Sequence, residues 1–452
     1  MDAPSRHHLS RAAAATAAAV ASLCLLACEG SQGGGGTAGP TPTTSAPTAT
    51  GTPSTATPTP SATATGTIEP SDDPAARLRD LLVSGLAADT GASQAVLDQI
   101  TVVALPLDVP DRDLWVAVSS GSAVYELPLE YARHVAGVYE RLSDDALVEL
   151  ARLPLESEPT EAYLEVLPAQ SEEGYPAWVA VAGVVGAHSG TFELLRFDGI
   201  TLTSVLWWFS PGPAAGTLED LDGDGRPEVI LDASDPYVFC YACGVTAAAE
   251  IVYRWVGPEP EAVNLVAVEG DPTTAALTAA AVAYVEADLW QAAQETIASA
   301  VDAAPGNADI SWLQIAIDRV AAARLAQAGA DAQPLVTNVL AGEYDAAVDL
   351  MRPLDPAEVF DPFGPLLAGT AAEGWESLAG EYLADYATRA LIVEPDLASA
   401  YIVRAVGRML IDGNAWAVAL IDIDDALDIA PGDAFYQALA EYAAEQNGGA
   451  RG

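Results

Sequence analysis

Asp220, Asp222, Asp224 and Glu228 are the residues of this 452-residue chain whose type and spacing most plainly suit a chemical task. Counted from Asp220, acids occupy loop positions 1, 3, 5 and 9, Gly225 at position 6 permits a sharp turn, and Arg226 at position 7 offers a backbone carbonyl. Oxygen ligands converging in that order suit a hard cation, and their number and charge point to Ca2+. An EF-hand is excluded, because position 12 is Leu231 where that motif needs a bidentate Glu, and Glu228–Leu231 reads as a strand. The alternative is a solvated Asp-Gly turn that holds no metal.

Other chemistries have less to stand on. All 18 basic residues are Arg, so Schiff-base chemistry and the phosphate-cradling loop that ends in Lys are excluded. A net charge of -46 repels nucleic-acid phosphates. His7 and His8 fall in the leader, and neither His134 nor His188 is accompanied by a Gly-x-Ser-x-Gly elbow. With 64 acidic residues a glycosidase pair could meet across a cleft, but nothing singles one out. In an exported protein Cys240 and Cys243 read as a disulfide closing a tight loop; free thiols, a shared metal site and a redox pair are the alternatives.

These residues need elements to position them, and the chain divides by composition. Arg6 and Arg11 precede an apolar, Ala-rich run, so residues 1–27 read as a signal peptide. The run ends Leu25-Leu26-Ala27-Cys28, which resembles the bacterial lipobox, with Leu26 a departure from its usual small or β-branched residue. That resemblance implies that Cys28 is diacylated, which anchors the chain to the membrane; a leader cut elsewhere or left uncleaved is the alternative. Residues 28–70 are dominated by Pro, Thr, Ser and Gly and cannot bury a core. They read as a disordered tether, its central 39 residues spanning roughly 35 Å as a coil or about 120 Å as polyproline II.

The expected fold class is α+β multidomain. Residues 71–268 form an antiparallel β-rich domain: a helix at about 74–88, capped by Asp73, then ten short β-branched or aromatic runs between Ile100 and Val256. The acidic loop lies inside it and resembles the calcium loop of FG-GAP/VCBS repeats, the strand-loop-strand units of integrin-type β-propellers. The resemblance implies that Asp220, Asp222, Asp224 and Glu228 are ligands, with Glu where Asp is more usual. The family repeats its loop from blade to blade and this chain has it once, so a domain smaller than a seven-bladed propeller is expected.

Residues 271–448 turn Ala-rich with helical period. Leu277, Ala281, Tyr284, Trp290, Ala293, Ile297, Ala300 and Pro305 resemble the tetratricopeptide (TPR) pattern. A second match runs Leu367, Ala371, Ala387, Ala390 to Pro395, and a third Tyr401, Ala405, Trp416, Ala419, Ile423, Ala426 to Pro431, with Gly342–Ala347 as a fragment of a degenerate unit. The bland alternative is an Ala-rich bundle. The resemblance implies stacked helix pairs that hold a peptide or protein partner. Asp422, Asp424, Asp425 and Asp428 either face water or line that surface to receive a basic segment. The expected function is a lipid-anchored extracytoplasmic interaction scaffold stabilised by Ca2+. Its rivals are an acid-dependent extracytoplasmic hydrolase and a carbohydrate- or solute-binding protein using Trp115, Trp178, Trp207 and Trp208.

Overall fold

The apolar runs of the first half pair into three antiparallel meanders. The computed structural model describes residues 75–77, 79–80, 100–105, 112–119, 135–142, 146–156, 161–167, 176–185 and 188–449, all within the unit Glu69–Gly452. Residues 1–27 and 28–70, read above as leader and tether, lie outside the described residues together with Cys28 and His134, as does most of the helix expected at 74–88, of which 75–77 and 79–80 are helical.

The first sheet is β1 (Ile100–Ala104), β2 (Leu114–Ser119), β3 (Val135–Arg141) and β4 (Leu147–Pro154). The second is β5 (Glu161–Val166), β6 (Ala177–Val185), β7 (Ser189–Phe197) and β8 (Leu202–Ser210). The third is β9 (Gly216–Glu219), β10 (Glu228–Asp232), β11 (Glu250–Val256) and β12 (Glu259–Ala262). Strands β9 and β12 are additions to the ten expected. Gly-Thr-Leu-Glu and Glu-Pro-Glu-Ala carry too few β-branched or aromatic residues to announce a strand, and pairing with β10 and β11 makes them extended.

The middle sheet is covered on both faces. Ala177, Val179, Val181, Leu195 and Phe197 meet Val116, Val118 and Val138 of the first sheet. Trp178, Ala180, Phe192 and Leu194 meet Val229 and Leu231 of the third. Alternate residues of β6 thus enter different cores, which is why the strand is apolar at almost every position instead of every second one. Trp178 is fully buried there, and truncating it to Ala would cost about 3–5 kcal/mol.

The second half is helical: α1 (Pro272–Glu286), α2 (Trp290–Ala303), α3 (Ala308–Gln327), α4 (Pro334–Leu340), α5 (Tyr344–Met351), α6 (Pro356–Val359), α7 (Glu376–Val393), α8 (Ala398–Ile411), α9 (Trp416–Ile429) and α10 (Ala434–Gly449). Asp271 caps α1 by accepting from the Thr273 and Thr274 amides. Ala281, Ala293, Ile297 and Ala300 are sealed between α1 and α2, and Ala405, Ala419, Ile423 and Ala426 occupy the equivalent places between α8 and α9. Where α7 crosses α8, a Cβ on Gly380 would lie 2.6 Å from the Gly407 carbonyl, so the crossing requires glycine. No described helix is long and apolar enough to cross a membrane.

One expected pair takes another form. Leu367 and Ala371 sit in a chain of turns between α6 and α7, so the unit closing at Pro395 has a second helix, α7, with no regular first helix before it. Pro362, Pro365, Gly369 and Gly374 interrupt that stretch, and both of the last two glycines have positive φ, 76° and 84°.

Sheet and helices share cores. Val252 of β11 packs with Trp312 and Ala316 of α3, and Val238, Phe239, Val245 and Ala247, from the connection between β10 and β11, enter the main helical core. Arg319 reaches from α3 to Glu250 at 2.6 Å and Glu219 at 2.8 Å. Arg324 donates to the Ala248 carbonyl at 2.5 Å and faces the buried Asp288, which Arg389 of α7 also grips. Asp288 holds a left-handed turn, φ 55°, between α1 and α2, so one buried carboxylate ties three helical segments to the β-sheet connection.

Candidate metal centre

The acidic loop closes the hairpin of β9 and β10, whose register sets Glu219 opposite Glu228 and Leu218 opposite Val229. Inside the loop each aspartate accepts from backbone N–H groups. Asp220 takes Gly223 at 2.8 Å through Oδ1 and Gly225 at 3.0 Å through Oδ2. Asp222 accepts from the Asp224 amide at 3.1 Å and Asp224 from the Arg226 amide at 2.8 Å. Gly223 and Gly225 have φ of 78° and 88°, a conformation that side chains other than Asn or Asp rarely adopt, and it folds the chain back on itself. Carboxylate oxygens of Asp220, Asp222 and Asp224 consequently lie within 4.8 Å of one another, at the surface. None of the three makes an ion pair with a described residue. This cluster can coordinate a divalent cation.

Glu228 stands apart from that trio. It is buried on β10, and its Oε2 accepts the Leu221 amide at 2.9 Å, holding the first turn of the loop against the sheet. Burial, reinforced by the charges of the three aspartates, pushes its carboxyl up to about 7. The Arg226 guanidinium lies 3.7 Å from the centre of the Trp255 ring and donates to the Gly257 carbonyl at 2.9 Å, and the charges of Asp224 and Glu228 favour its protonated form. Burial lowers its pKa to about 10, which leaves it charged at neutral pH. Trp255 in turn donates to the Pro227 carbonyl at 2.9 Å and meets Trp178 edge-on at 5.2 Å. The loop is therefore braced through β11 to the core between the second and third sheets.

Elsewhere the residues singled out by sequence are scattered. Cys240 and Cys243 are bonded to each other around the short 3-10 turn Tyr241–Cys243, and the His188 ring rests 4.3 Å from that of Tyr241. Trp115 and Trp178 are core residues, and Trp208 donates to the Asp232 carbonyl. Trp207, 45% exposed, is the most open of the four tryptophans.

The aspartates of α9 do not act as a group. Asp422 is fully buried and held by Arg404 at 2.7 Å and Arg408 at 2.5 Å, both from α8, whereas Asp424 and Asp428 face solvent and Asp425 is half-buried. Neither this ion triad nor the one around Asp288 was legible in the sequence. The available sign was two arginines one helical turn apart, Arg404 and Arg408, in an Arg-poor chain.

No protein-family model, curated protein or solved structure matches the chain.

Proposed function

We propose that this protein is a lipid-anchored extracytoplasmic scaffold: Cys28 carries the anchor, residues 28–70 hold the folded part off the membrane, and Ca2+ in the Asp220–Glu228 loop stiffens the β region. The TPR-like helices then present a surface to a protein or peptide partner. The observation that carries the reading is the loop itself. Three carboxylates in no ion pair with a described residue converge in a hairpin braced to the core by Trp255, an arrangement that costs stability through mutual repulsion until a cation enters. The FG-GAP/VCBS likeness adds Glu228 and the Arg226 carbonyl as further ligands and favours Ca2+ over smaller Mg2+, which demands stricter octahedral geometry. The helical half supports the scaffold reading through its sealed Ala-lined pairs α1–α2 and α8–α9.

The test uses the full chain. Isothermal titration with Ca2+ and Mg2+, repeated on Asp222→Ala, is expected to show calcium binding that the variant loses. Fractionation of cells making Cys28→Ser is expected to move the protein out of the membrane pellet. Absence of any calcium heat, or equal membrane retention of the Cys28 variant, removes the corresponding part of the reading. Turnover in a glycoside or ester screen that vanishes on replacing one acid would assign the hydrolase function instead.

A further inference from the structure

The connection between β10 and β11 is held at its base, where Asp235 and Ala247 exchange backbone hydrogen bonds of 2.9 and 3.0 Å. Its sides are seated on the helical half. Val238, Phe239 and Val245 are sealed in the helical core, and Phe239 meets Tyr382 of α7 edge-on at 6.3 Å. At its tip the disulfide spans a single 3-10 turn, whose ends are already joined by the Cys243 amide donating to the Cys240 carbonyl at 2.9 Å. Base, sides and tip are each fixed by contacts that do not involve sulfur.

A disulfide stabilises according to the length of free chain it closes. Cys240 and Cys243 are three positions apart, so this one closes almost none. Nor is it shielded from solvent. Both cysteines are partly exposed, Ala242 and Gly244 beside them are exposed, and the rim is made by Tyr237 and the neighbouring rings of His188 and Tyr241. The two sulfurs sit differently. Cys243 packs against the helical core next to Gly244, on which a Cβ would lie 3.7 Å from that of Ala332, whereas Cys240 stands in extended backbone at the start of the turn.

We propose that Cys240 and Cys243 form a reversible redox pair that takes electrons from a dithiol, with Cys240 the sulfur attacked. One thiolate of the dithiol bonds to Cys240 Sγ, the bond between the two cysteines breaks, and the Cys243 sulfur leaves with the electron pair and takes a proton from water. The second thiol of the reductant then gives up its proton and attacks the reductant sulfur bound to Cys240. The Cys240 sulfur leaves and is protonated, and the reductant departs as a disulfide. Two electrons and two protons have passed to the chain. A monothiol stops at the first step, because the turn holds Cys243 beside the mixed disulfide at high effective concentration and expels it. A dithiol competes on the same terms with its own second sulfur. This inference rests on neither the calcium loop nor the partner surface of the helices.

The experiment uses the full chain carrying Cys24→Ser and Cys28→Ser, which leaves the pair as its only cysteines. After equilibration with dithiothreitol or with glutathione, thiols are counted without denaturant by the mass that a maleimide adds. Dithiothreitol is expected to open half of the pairs at a thiol concentration at least about tenfold below the one glutathione needs. The melting temperature of the opened chain should fall by no more than about 3 °C. In single-cysteine chains, glutathione disulfide should label Cys240 of the Cys243→Ser variant at least about tenfold faster than Cys243 of the Cys240→Ser variant. The first two readouts use the unsubstituted pair and do not depend on either of these variants folding. A pair that opens only in denaturant, a larger fall in melting temperature, equal opening by the two reductants, or faster labelling of Cys243 overturns the proposal.

Discussion

The loop Asp220–Asp224 and the helix α9, with Asp422, Asp424, Asp425 and Asp428, hold the same residue type at similar density and treat its charge in opposite ways. In the loop, two left-handed glycines fold the backbone so that alternate carboxylates converge, exposed and in no ion pair with a described residue. On α9 each residue turns by about 100°, so the aspartates diverge: Asp422 enters the core between two arginines, Asp425 is half-buried, and Asp424 and Asp428 point outward. A loop can gather like charges for an outside cation, while a helix distributes them and must supply arginine to any that turns inward.

The sharpest way to break this comparison is at the buried aspartate. Asp422→Ala leaves Arg404 and Arg408 facing an empty pocket inside the α8–α9 contact and should cost about 3–5 kcal/mol in urea unfolding. A loss under about 1 kcal/mol would mean that the arginines find water instead and that the two aspartate clusters differ little.

Calcium addresses the other side. At a hundredfold excess over its dissociation constant the ion should stabilise the protein by about 2.7 kcal/mol, seen as a rise in melting temperature that Asp222→Ala abolishes. Because Asp222 makes no ion pair with a described residue and lies among like charges, Asp222→Ala without calcium should be neutral or mildly stabilising, the reverse of Asp422→Ala. A variant strongly destabilised in chelator would show that the backbone hydrogen bonds of the loop, and not the cation, account for the aspartates.

Asp433 sits between these extremes. It caps α10 through the Phe435 and Tyr436 amides and pairs with Arg352 at 2.9 Å, an arginine 40% exposed. Asp433→Ala should cost about 1–2 kcal/mol. The Arg352 hydrogen bonds hold its carboxyl below the usual aspartate range, so its contribution is fully present above about pH 4 and is lost as pH falls through the folded value. Urea midpoints at pH 3 and pH 6 for wild type and variant check this: the gap should narrow at the lower pH.

The smallest effect belongs to the exposed pair. Asp424→Asn/Asp428→Asn relieves like charge four residues apart on α9 and should change stability by no more than about 0.5 kcal/mol, toward greater stability, fading in high salt. A large loss would place these side chains in contacts that their exposure does not indicate.

The sequence by itself determined what depends on near neighbours. Ten strands and the hairpins α1–α2 and α8–α9 follow from period and punctuation, and the acidic loop follows from spacing along a short stretch, because a chain of nine residues with two glycines has few ways to close. The tertiary structure decided what depends on partners far along the chain. Strands β9 and β12 are extended because β10 and β11 offer them hydrogen bonds, and Glu228 is buried because β10 enters the core. It also decided which carboxylates turn inward. Asp422 and Asp424 are two residues apart and equally acidic in sequence, and only the packing of α9 on α8 gives one of them two arginines and the other water. Burial of a charge is a property of the assembled surface, and no local pattern carries it.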